Sequence, residues 1–158
     1  MATLTSTITE SITLNGAERG SSNVVSISSV TQVFHRIVTC PASQDTTLAT
    51  FDAAVDDAAG TAGALDVNDV KYIRVTNLDD TNPVNLSLQI DADENNSAAD
   101  ESATILLGAG KTFVMGAAAD AVAVSDANAT IVTTLHHLES LLVDPGTNAV
   151  TVEVFIAC

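Results

Sequence analysis

The chain has 158 residues, of which 46% are hydrophobic but only 3% aromatic, with no Trp. Five Lys and Arg stand against twenty Asp and Glu, a net charge of −15 that repels phosphate backbones and anionic membrane surfaces over roughly a Debye length of about 8–10 Å. Nucleic acid and membranes are therefore not expected as partners, no stretch approaches the roughly 20 apolar residues that cross a bilayer, and the length suits one domain, residues 1–158, with a core of Val, Ile, Leu and Ala.

The opening MATLTSTITESITLNG has neither a basic start nor a continuous apolar run, so no secretory leader is expected. TSTITESITL and SNVVSISSVTQVFHRIVTC, rich in Thr, Val, Ile and Ser, flank NGAERG, whose two glycines supply the positive φ of a turn; this predicts a hairpin. Residues 52–69, DAAVDDAAGTAGALDVND, read as a loop or a short helix. In VNLSLQID, Val84, Leu86, Leu88 and Ile90 alternate with Asn85, Ser87, Gln89 and Asp91, as a strand with one face in the core requires. VKYIRVTN, 70–77, precedes it across LDDTNP, which reads as a hairpin connection. DADENNSAADES, 91–102, is a polar acidic loop. ATILL and TFVM read as two strands joined at GAGK. In IVTTLHHLESLL the residues Leu135, Leu138 and Leu142 fit a helical face while Ile131, Val132 and the Thr pair favour a strand; its neighbours decide for the strand. LESLLV, 138–143, is set against a last alternating strand, Val150, Val152, Val154 and Ile156, across DPGTN. Short strands with turn signals between them predict an all-β fold: an antiparallel, jelly-roll-like β-sandwich with two Ala/Asp-rich loops and at most one short helix.

Three constellations bear on chemistry. ILLGAGKTF ends like a P-loop, with Gly110, Lys111 and Thr112 in the last three places. The first place is Ile105 and no helix follows to receive a phosphate, so the letters read as a turn and no nucleotide or other cofactor is expected. Asp91, Asp93, Asn95 and Ser97 fall at the first, third, fifth and seventh places of a calcium loop, but Asn96 stands where the hand needs Gly and Ser102 where it needs Glu. That leaves them as a loose surface calcium candidate. His136 and His137 point to opposite faces if they lie in a strand, so neither they nor His35 make a zinc set by spacing. No G-x-S-x-G elbow occurs, and no catalytic residues are expected. Cys40 and Cys158 are too few for a disulfide framework, and two reduced thiols are expected.

ITESITLNGAERGSSNVVSISSV, KYIRVTNLDDTNPVNLSLQI, LGAGKTFVM and VTVEVFIAC together resemble small virion structural proteins of tailed bacteriophages, notably those infecting marine cyanobacteria. The resemblance implies a non-enzymatic β-sandwich building block, present in many copies on a capsid or tail. A capsid decoration (cement) protein on the outer surface of the virion is the expected role, with phage capsid or tail proteins and its own copies, a trimer favoured, as partners. The early strands are the expected interface, since strand edges are buried by symmetric assembly. A tail or neck component is one alternative. A carbohydrate- or receptor-binding module using loops 52–69 and 91–102 is another, disfavoured by the scarcity of rings: Tyr72 and four Phe.

Overall fold

A computed structural model describes residues 1–53, 63–91, 101–125 and 131–158. Among them the fold is all-β, with no α-helix. The N-terminal stretch forms β1 (Ala2–Glu10) and β4 (Ser21–Val30), an antiparallel ribbon whose tip carries the small hairpin β2 (Thr13–Leu14) and β3 (Ala17–Glu18). Asn15 and Gly16 hold φ values of 52° and 78° at that tip, the left-handed pair that a tight hairpin turn requires and Asn-Gly tolerates.

The other strands are β5 (Val33–Cys40), β6 (Thr46–Asp52), β7 (Leu65–Asp66), β8 (Tyr72–Asn77), β9 (Val84–Asp91), β10 (Glu101–Leu107), β11 (Thr112–Met115), β12 (His137–Asp144) and β13 (Val150–Ala157). Among the described residues a single 3-10 turn, Val67–Asp69, follows β7. Four strands form one sheet in the order β11-β8-β13-β5, and five form another in the order β10-β9-β12-β6-β7. The pairing is antiparallel except between β6 and β7, where Phe51 and Leu65 begin a two-residue parallel contact.

Three connections expected as hairpins are corners between sheets. LDDTNP carries the chain from β8 in the four-stranded sheet to β9 in the five-stranded one, GAGK from β10 to β11, and DPGTN from β12 to β13. Turn composition marks where a chain reverses; it does not say whether the next strand pairs with the last or lies across the core from it. The long run SNVVSISSVTQVFHRIVTC is likewise cut at Thr31 and Gln32 into β4 of the ribbon and β5 of the four-stranded sheet. β6, with Leu48, Ala49 and Phe51 buried, was not among the expected strands.

One core is shared by the two larger sheets. Ile73, Val75, Val152, Val154 and Ile156 from one meet Leu86, Leu88, Leu141 and Val143 from the other, all buried. In β12 the buried residues Leu138 and Leu141 are three apart, a spacing that looks helical. The register against β9 slips between Leu138 and Ser140, so a bulge at Glu139 returns Leu141 to the core face.

Asn77 is the buried polar residue at the end of β8. Its Nδ2 donates to the carbonyls of Asn82 at 2.9 Å, Leu107 at 3.2 Å and Gly108 at 3.3 Å, and its Oδ1 accepts from Asp79 N at 3.0 Å. Its own N–H donates to Lys111 O at 2.9 Å. One amide thus ties the β8–β9 corner to the β10–β11 corner. The second of these is a turn in which Lys111 N donates to Gly108 O and Gly110 takes φ +66°, a value open to glycine at little cost.

Cys40 and Cys158 are buried free thiols. Cys40 is opposite Val150, and Ala157 opposite Val33, so the two cysteines lie at opposite ends of β13. At roughly 3.3 Å per residue they are far beyond the ~7 Å Cα limit of a disulfide. Burial raises both thiols above their ordinary pKa.

Asn77→Ala is expected to lower stability by about 2–4 kcal/mol, because it strands buried carbonyls that no side chain then serves. Urea unfolding measures this, and a change under about 0.5 kcal/mol would mean that water takes over the amide's role. Both thiols are expected to resist a disulfide-exchange reagent in the native protein and to react fully once unfolded. Rapid labelling of the native chain would contradict the packing around them.

Candidate functional site

Alternation places a second set of side chains on the outer face of the four-stranded sheet. Cross-strand register arranges them in rows: His35, Phe155, Arg74 and Val114 in one, Ile37, Glu153, Thr76 and Thr112 in the next. Residues opposite each other within a row and diagonal to each other between rows are both within reach, and here the contacts of His35 and Arg74 with the Phe155 ring run along a row while the ion pairs run between rows. His35 Nε2 lies 2.8 Å from Glu153 Oε1, and Arg74 Nη1 lies 2.8 Å from Glu153 Oε2. Arg74 also donates to Thr76 Oγ1 at 2.9 Å, and the Thr76 and Thr112 hydroxyls are 3.1 Å apart. The Phe155 ring packs edge-on to Tyr72 at 6.2 Å, tilted against His35 at 5.7 Å, and beneath the Arg74 guanidinium at 5.9 Å. Hydrogen bonds from Arg74 first, and then from His35, hold the Glu153 carboxyl below its ordinary 4.5.

The base of the ribbon lies over part of this face. Ser6 Oγ is 3.2 Å from the Tyr72 hydroxyl. Leu4, Ile8, Tyr72, Arg74, Val114 and Phe155 are among the residues that line a groove of about 460 Å³ between ribbon and sheet. Val33 and Ile37, on β5, are left 52% and 62% exposed. The four strands of this sheet carry Arg36, Arg74 and Glu153 as their only Lys, Arg, Asp or Glu residues, so the face is nearly neutral in a chain of net charge −15. Chemically the cluster is a closed ion-pair set. The carboxylate that holds the histidine is itself paired with arginine, and no nucleophile lies beside the histidine in this set.

The residues singled out by motif are scattered. Gly110, Lys111 and Thr112 form the β10–β11 corner and the start of a strand, with no helix after them among the described residues. His35 is on the outer face of β5, whereas His137 opens β12, where its Nδ1 accepts from Asp120 N at 3.0 Å. His136 pairs with Val122 through the backbone. Among the described residues no group of three or more His, Cys, Asp or Glu is placed to hold a metal ion. Asp91 ends β9 opposite His137, while Asp93, Asn95 and Ser97 lie outside the described residues. The Glu153 cluster was missed in the sequence. Its signal was there in part: Glu153, Phe155, Tyr72 and Arg74 occupy the outward positions of alternating strands, where small polar residues suffice.

No family model matches the sequence, and no curated protein matches it. A solved structure of Bacillus endospore appendages, described as a family of disulfide-linked pili, is similar to it at 12% identity and a TM-score of 0.37, over 84% of this chain and 93% of that one. A likeness at that level carries no argument.

Because the Glu153 pKa is depressed, its contribution to stability is full above 4.5 and is lost as the pH falls through the lowered value. Glu153→Gln is expected to cost up to about 1 kcal/mol near neutrality. Thermal melts against pH should show the gap from the parent narrowing below pH 4.5; a gap that stays constant there would mean that the carboxylate's charge is idle.

Proposed function

We propose that this chain is a non-enzymatic structural subunit of a tailed-phage virion, a capsid decoration protein that self-associates and docks on the outside of the shell. The observation that carries the reading is the β1–β4 ribbon. It packs chiefly on itself and leaves Ile12, Leu14, Val24 and Val25 more than half exposed. A two-stranded ribbon is marginal by itself in water, so an arm of this kind is best understood as one that a partner covers. Its root is anchored: Thr31 N and Gln32 N both donate to Cys158 O, Cys158 N donates to Gln32 O, and Lys71 Nζ donates to Ser29 O at 3.0 Å.

On this reading the fold is a jelly-roll β-sandwich. Strand order supports it, since β5-β13-β8-β11 faces β6-β12-β9-β10 with first and last strands adjacent in each, as in a double Greek key. Net charge supports an outward position, because a −15 surface is repelled by packaged DNA. The phage assignment itself rests on the sequence resemblance. A tail or neck position is compatible with the same features. A second reading, a carbohydrate- or receptor-binding module, is favoured by one observation: Tyr72 and Phe155 line the 460 Å³ groove, and aromatic faces are what sugars stack on.

Native mass spectrometry and gold labelling of particles of the phage that encodes the chain test the proposal. A discrete oligomer, a trimer favoured, that labels the head surface is expected, and its association should strengthen as salt screens the −15 charge. A monomer at every concentration that binds glycans would replace this reading with the module.

A further inference from the structure

The apolar side of the ribbon changes along its length. Directly opposite residues of β1 and β4 share a face, so Leu4 with Ile27, Ser6 with Val25, and Ile8 with Asn23 form the side turned toward the four-stranded sheet. At the base, Leu4, Ser6 and Ile27 are half-buried. Farther out, Ile8 is 49% and Val25 53% exposed, and at the tip Ile12 and Leu14 reach 55% and 56%. The arm therefore lifts away from the sheet, while the β5 half of that sheet keeps Val33 and Ile37 open. Overhang and uncovered strip have the same chemistry as the contact already made at the base, where Leu4 and Ser6 meet Tyr72 and Phe155.

Charge identifies what can fill both. Between Ala2 and Val30 the charged residues are Glu10, Glu18 and Arg19; on the four strands they are Arg36, Arg74 and Glu153. The ribbon is thus negative by one; Arg36 alternates with His35 and Ile37 and lies on the other side of β5, so the outer face carries Arg74 and Glu153 and is neutral by count, and nearly all of the net charge of −15 resides elsewhere on the chain. Ribbon and outer face are therefore the two weakly charged surfaces of a strongly acidic molecule, so a contact between them avoids the repulsion that two acidic surfaces would meet. Nine of the fourteen exposed large apolar residues among those described lie on the N-terminal 30 residues or this sheet face, so ribbon and face together hold most of the exposed large apolar side chains.

We infer that the outer end of one copy's ribbon, with Ile12 and Leu14 at its tip, docks on the open β5 side of the four-stranded sheet of a second copy, beside that copy's own ribbon. This rests on the self-association proposed above and names its surfaces. The contact joins two different patches, so each subunit gives one ribbon and receives one, and closure produces a ring.

The experiment is sedimentation velocity on the full chain with Leu14→Asp at the tip, Ile37→Asp on the face, and Leu106→Asp as control. Leu106 is 69% exposed on β10 of the five-stranded sheet. The tip and face variants are each expected to associate at least tenfold more weakly than the parent, and the control as tightly as the parent. Mixing the two weakened variants is expected to restore a heterocomplex, because one intact tip then meets one intact face. If an aspartate variant loses its sheet signal in circular dichroism, Leu14→Thr and Ile37→Thr give the same reading at positions where strands accept Thr. Variants that assemble like the parent, or a mixture that recovers nothing, would overturn the ribbon-on-sheet contact while leaving self-association in place. A parent that is monomeric throughout would instead remove the self-association on which the contact depends.

Discussion

Each strand from β8 to β13 has one apolar face turned to the core, and drying that face while leaving the other wet is the constraint from which the architecture arises. Val84, Leu86, Leu88 and Ile90 on β9, and Val150, Val152, Val154 and Ile156 on β13, are all buried, yet they belong to different sheets. Two sheets must then face each other, and the chain must cross between them at its corners. The crossings bring polar backbone to the rim of the core. Asn77 resolves this at one end by bonding three carbonyls from two corners, so a single buried amide replaces the water those groups would otherwise need.

With so few large rings, the core is held by the fit of branched aliphatic side chains. Among the described residues Phe51 is its one fully buried aromatic side chain. Tyr72 and Phe155 are used instead on the outer face of the four-stranded sheet, together with the Arg74, Glu153 and His35 set. Val and Leu fill the core positions as usual, and the half-buried rings of Tyr72 and Phe155 lie with the ion-pair cluster on the outer face. This concentrates ring and ion-pair contacts on a face of almost no net charge in a strongly acidic molecule.

The ribbon gives that face its context. Its ladder, the 3.1 Å contact of Thr9 and Ser22, the Ser21 bond to Glu10 and the two backbone N–H groups held by Glu18 make it a defined arm. Its root is bonded to the end of β13, so the arm and the face are fixed relative to one another through one strand. On the reading proposed for the chain, this coupling is what allows a small domain to present a projecting element and a receiving surface together, with no catalytic group involved.

Alternation alone identified the strand character of 84–91 and 150–156, and turn chemistry identified where the chain reverses at NG, LDDTNP, GAGK and DPGTN, because both are local properties of side-chain size and backbone freedom. The dismissal of the P-loop letters was equally local, since the residues after Thr112 have strand periodicity. Partner choice was not local. Whether β8 pairs with β9 or faces it across a core depends on which strand, far away in sequence, offers the better-matched edge, and β8 takes β13 and β11. The three-residue spacing of Leu138 and Leu141 acquires its meaning only from a bulge set by register against β9. The Glu153 cluster draws its members from residues 35, 74 and 153, and no spacing rule links them. Tertiary pairing decided the site because electrostatic and ring contacts act through space over a few ångströms, while the sequence orders its residues only along the chain.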